Sequence, residues 1–79
     1  MSYKIIDKGI IEINRVDGGD INSRYVIIDL GDGINKKFKM NRFININGEY
    51  IREYIEDENG KEVSSSNLFE YLMENVGLE

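Results

Sequence analysis

Through the first two-thirds of the chain, apolar residues come in short groups dominated by Ile and separated by Gly, Asp and Asn. β-Branched and aromatic residues alternating with polar ones between such turn formers are the pattern of half-buried strands. A first strand is expected over about residues 3–16, interrupted near Lys8-Gly9, because a glycine among strand formers marks a bulge or bend. Asp17-Gly18-Gly19-Asp20 reads as a turn. A second strand over 23–30 sets Val26, Ile28 and Leu30 on one face and Tyr25, Ile27 and Asp29 on the other, and Gly31-Asp32-Gly33 closes it.

Asn47-Gly48 is the preferred dipeptide of a two-residue type I′ hairpin, so strands over 35–47 and 49–57 can be paired residue against residue. Counting outward sets Ile44 opposite Ile51 and Met40 opposite Ile55. It also sets Arg42, Lys39 and Lys37 opposite Glu53, Glu56 and Glu58, three pairs of opposite sign with no like-charge pair. A helical stripe of Tyr50, Ile51, Tyr54 and Ile55 competes for this segment. The Asn-Gly before it and Glu58-Asn59-Gly60 after it favour strand.

From Ser64 the period changes. Leu68, Phe69, Leu72, Met73 and Val76 recur at helical spacing, which predicts a helix over about 66–76. Ser66 or Asn67 is the expected N-cap, with Asn67 and Glu70 spaced as a capping box, and Gly77 stands where a helix stops. About three turns are unstable alone in water, so the apolar stripe must lie against the sheet. The chain, residues 1–79, therefore reads as one α+β domain: a small antiparallel sheet of four or five strands with one C-terminal helix packed on one face. The expected apolar layer holds Ile11, Ile13, Val26, Ile28, Met40, Ile44, Ile51, Ile55, Leu68, Phe69, Leu72 and Met73, with Ile10 and Ile27 unassigned.

Composition narrows the chemistry. With no Cys and no His, zinc sites, disulfides, Cys or Ser/His nucleophilic machinery and imidazole switches are excluded within the chain. The acidic turns at Asp17/Asp20, Asp29/Asp32 and Asp57/Glu58/Asn59 lack the alternating ligand pattern of a calcium loop, and Asp and Asn serve turns in their own right. The hydroxyls of Ser64-Ser65-Ser66 have no neighbouring base and suit capping. No catalytic residue, metal ligand or cofactor is expected. Apolar runs such as Val26-Ile27-Ile28 are far shorter than the roughly 20 residues that cross a bilayer, and a cytoplasmic location is the expectation. The absence of Ala, Thr and Gln beside abundant Ile, Asn, Lys and Glu suits an AT-rich bacterial or phage genome.

A net charge of −5 opposes polyanion binding and allows attraction to a basic protein surface. In the hairpin register Phe43, Tyr50, Arg52 and Tyr54 share a face with Asn41 and Asn45, and Tyr and Arg are residues that carry energy at interface centres. The leading expectation is thus a small non-enzymatic protein-binding module, an adaptor or inhibitor, as a phage or mobile-element product acting on a host nucleic-acid-handling protein. One alternative is a single-stranded nucleic-acid-binding module using Lys36, Lys37, Lys39 and Arg42 with adjacent aromatics, disfavoured by net charge. A second is a structural subunit of a homo-oligomer.

Overall fold

The computed structural model describes residues 3–78, the side chains of Tyr50 and Ile51 excepted. Its elements are β1 (Lys4–Lys8), β2 (Glu12–Val16), β3 (Gly19–Asp29), β4 (Asn35–Asn45), β5 (Tyr50–Glu56) and α1 (Ser66–Asn75). All strand pairs are antiparallel. β3 is flanked by β4 on one side and by β1 and β2 end to end on the other, and β5 lies beyond β4. β1 and β2 are therefore the two halves of the expected first strand, broken around Gly9, whose N–H still donates to Tyr25 O at 2.9 Å.

Alternation along the strands divides the sheet into two faces. Val26, Ile28, Phe38, Met40 and Ile55 point to the helix and form the core with Leu68, Leu72 and Leu78. At about 3.3 Å per residue the eleven-residue β3 and β4 are roughly 36 Å long, whereas the ten-residue helix spans about 15 Å. The helix therefore covers one half of one face, and the molecule is elongated, 41 × 22 × 20 Å. Ile13, expected in the core, lies beyond the helix and is 67% exposed for this reason. Ile11, Ile44, Phe69 and Met73 are only half-buried, and the Ile51 side chain is outside the described residues. Phe38 and Leu78 complete the core in their place.

The helix cap is Ser65, one residue before the expected position. Its Oγ accepts from Leu68 N at 3.4 Å, so the Asn67/Glu70 spacing is not the capping pair. At the other end Gly77 adopts φ +73° and its N–H donates to Leu72 O, the reversal that folds Leu78 back into the core. Arg24 donates from Nη1 to Val76 O at 3.2 Å, setting a cation on the helix C-terminus. Tyr71 donates to Tyr3 O at 3.2 Å, and the two rings meet edge to face at 5.0 Å, tying the first residues to the helix.

Two turns depart from expectation. Gly19 and Asp20 belong to β3, the turn being Asp17-Gly18 alone, with Gly18 at φ +86°. The β4–β5 connection is not a type I′ turn. Among the described residues no residue other than Gly has positive φ, so Asn47 cannot occupy the first central position of such a turn. Instead Asn45 opens a three-residue loop. Gly48 N donates to Asn45 O, Asn45 N to Glu49 O, and the Asn45 side chain accepts from Asn47 N and Glu49 N. Ile44 then pairs with Tyr50, one residue out of the expected register. A bulge before Arg52 takes up the difference, and from Phe43↔Arg52 to Lys39↔Glu56 the ladder is the expected one. The turn is repeated at Asp57-Glu58-Asn59-Gly60-Lys61 with the same hydrogen bonds, Gly60 N donating to Asp57 O and the Asp57 carboxylate accepting from Asn59 N and Lys61 N.

Candidate interaction face

The sheet face away from the helix is built by residues that alternate with the core set. β3 contributes Tyr25 and Ser23, β4 contributes Lys37, Lys39, Asn41 and Phe43, and β5 contributes Arg52, Tyr54 and Glu56. Cross-strand partners fix the rows: Tyr25, Lys39 and Glu56 form one, Ser23, Asn41 and Tyr54 the next, and Phe43 faces Arg52 in the third. Lys37 Nζ lies 4.4 Å and Lys39 Nζ 5.6 Å from the Tyr25 ring centre, and the Arg52 guanidinium lies 4.7 Å from that of Tyr54. Arg52 also pairs with Glu62, from the segment that follows the second turn.

Beneath this layer sits a polar pair. Ser23 and Asn41 are 2% and 1% exposed although no helix covers them, because long neighbours close over them. Ser23 Oγ donates to Asn41 Oδ1 at 2.7 Å, and Asn41 Nδ2 donates to Glu56 Oε1 at 2.8 Å. A buried amide with its groups satisfied fixes the rotamers of the strand it stands on. Three carboxylates on this side are engaged within the fold. Glu56 holds Asn41, Glu62 holds Arg52, and Glu58 accepts from Lys37 N at 3.3 Å.

The anticipated platform is thus brought together in part. Phe43 and Tyr54 are half-buried on the open face and Arg52 is exposed there. Asn41 is withdrawn from solvent into the polar pair, and the side-chain oxygen of Asn45 is spent on its turn. The Tyr50 side chain is outside the described residues. The basic cluster divides: Lys37 and Lys39 stand on the open face, whereas Arg42 pairs with Glu53 at 3.0 Å in the ladder that alternates toward the helix, and Lys36, paired with Ile28, is on that same side. Tyr25, 44% exposed, is the central ring, and the sequence pattern alone does not single it out. The signal for it lies in the β3–β4 pairing, which the five residues between those strands leave without a register-setting turn.

Among the described residues no group of three or more acidic side chains is placed to hold a metal ion, and no helix is long and apolar enough to cross a membrane. Comparison of the chain with protein-family models, with characterised proteins and with solved structures gives no match.

Proposed function

We propose that this chain is a non-catalytic binding module, an adaptor or inhibitor, that docks a basic-surfaced protein on the helix-free face of its sheet. The observation that carries the reading is the single-sided cover of the sheet. The opposite face holds Tyr25, Tyr54 and Phe43 with cations stacked on the first two, over a hydrogen-bonded base. Rings held in place by neighbours lose little freedom on binding, so their contact area converts to affinity at low entropic cost. On this face Lys37, Lys39 and Arg52 are balanced by Glu56, Glu58 and Glu62, and the net charge of −5 over the whole chain raises the encounter rate with a basic partner, as suits a phage or mobile-element product that occupies a host nucleic-acid-handling protein in the cytoplasm. The test is retention of a purified basic partner by Tyr25→Ala/Tyr54→Ala, with Glu70→Ala on the exposed helix as reference. Loss confined to the folded double variant supports the reading, and equal retention by the wild type and both variants overturns it.

One observation favours a second reading, that two lysines on one exposed tyrosine form a stacking and phosphate-contact site for single-stranded nucleic acid. Against it, Glu56 stands directly beside Lys39 in the ladder and Glu58 lies beside Lys37. Titration of labelled oligonucleotides separates the two, since phosphate-driven binding weakens steeply with salt.

A further inference from the structure

We propose that two copies of this chain pair edge to edge through β2, continuing the sheet across a two-fold axis at Ile13. The outer edge of β1 and β2 has no strand beside it among the described residues, so its outward N–H and C=O groups have no ladder partner. The opposite margin of the sheet is closed in part, because Val63 N donates to Ile55 O at 2.8 Å and Glu62 bridges Glu56. The β1 half of the open edge is blunted by a register shift between Ile5 and Asp7 and by the charges of Lys4, Asp7 and Lys8. The β2 half pairs with β3 without a shift over five residues. Ile13 is 67% exposed on it, and Ile10, just before it, is 80% exposed.

The register follows from symmetry. A strand paired antiparallel with its own copy has the two-fold axis normal to the sheet, so one residue faces itself. Centring on Glu12 or Arg15 opposes like charges. Centring on Asn14 parts the two copies of Ile13 and carries Ile10 past the end of the partner strand to Gly18, and centring on Val16 runs the strand into the same Asp17-Gly18 turn. Centring on Ile13 opposes Ile13 to Ile13, Glu12 to Asn14, Ile11 to Arg15 and Ile10 to Val16, with no like-charge pair and both exposed isoleucines covered. Because the axis is normal to the sheet, the two helix-free faces then lie on the same side. The pairing does not depend on the proposed protein partner.

The whole chain tests this by sedimentation equilibrium and by cysteine cross-linking, for which a sequence without Cys is a clean background. A monomer–dimer equilibrium is expected at concentrations up to about 1 mM, and Ile13→Lys, with folding checked by circular dichroism, is expected to weaken it roughly a hundredfold because one substitution removes two isoleucines from one contact. On mild oxidation Ile13→Cys should form the disulfide-linked dimer faster than Ile46→Cys, whose site is 82% exposed but distant from the axis. A chain that remains monomeric at every concentration, a dimer unmoved by Ile13→Lys, or equal cross-linking at the two positions overturns the proposal.

Discussion

Removing Asn41 tests the polar pair that organises the open face. Asn41→Ala deletes the acceptor of the 2.7 Å bond from Ser23 and the donor of the 2.8 Å bond to Glu56 at a site 1% exposed. The first bond is neutral and worth about 1 kcal/mol; the second is charge-assisted, but Glu56 is half-buried, which holds it near the low end, about 1.5 kcal/mol. Their sum, about 2–3 kcal/mol, corresponds in a domain of this size to a fall in Tm of roughly 10–20 °C. Ser23→Ala leaves the Asn41 oxygen buried without its partner and should cost about 1–3 kcal/mol. The double variant should cost less than the sum of the singles, with a coupling of about 1–2 kcal/mol by urea unfolding at constant m. An Asn41→Ala loss under about 0.5 kcal/mol, or zero coupling, would refute the claim that this pair braces the face.

Three further outcomes follow from the geometry. Leu72, 0% exposed beneath the sheet, should lose about 2–5 kcal/mol as Leu72→Ala in the same urea assay. Gly19→Ala would place a Cβ 2.0 Å from Ile44 O, backbone against backbone, so amide exchange should accelerate at the paired ends of β3 and β4 while the helix-covered half keeps its protection. The Asp29 carboxyl is held below its ordinary value chiefly by the Gly31 N–H, with Gly33 N–H and Asp32 N–H aiding and Lys4 adding a weaker attraction, against some desolvation. A depressed carboxyl stabilises the fold above its unfolded pKa, and that contribution fades as pH falls through the folded value. Below about pH 4 the Tm of the wild type should therefore fall more steeply than that of Asp29→Asn, and parallel acid limbs would contradict this.

What can be read from sequence follows from how local each determinant is. The β4–β5 ladder from Lys39 to Phe43 is accessible because charges of opposite sign and apolar residues match in only one register, and that register survives even though the turn differs. The turn itself is missed when Asn-Gly is read alone. The informative unit is Asn45-x-Asn47-Gly48, repeated as Asp57-x-Asn59-Gly60, in which the opening side chain supplies the hydrogen bonds. Ile13 fits a strand pattern as well as Ile28 does; its exposure depends on where a short helix comes to rest, which is a tertiary fact. Asn41 reads as a surface amide because nothing in its neighbours along the chain announces Ser23, eighteen positions away, as its partner.

The claim that the helix-free face is the docking surface is tested most directly by placing a photoreactive residue at position 54, on that face, and in a separate chain at position 74, on the exposed side of the helix. Irradiated with the same basic partner protein, the chain labelled at 54 should form the covalent adduct and the chain labelled at 74 should not. Adducts concentrated at 74, or formed equally at both positions, would contradict the account.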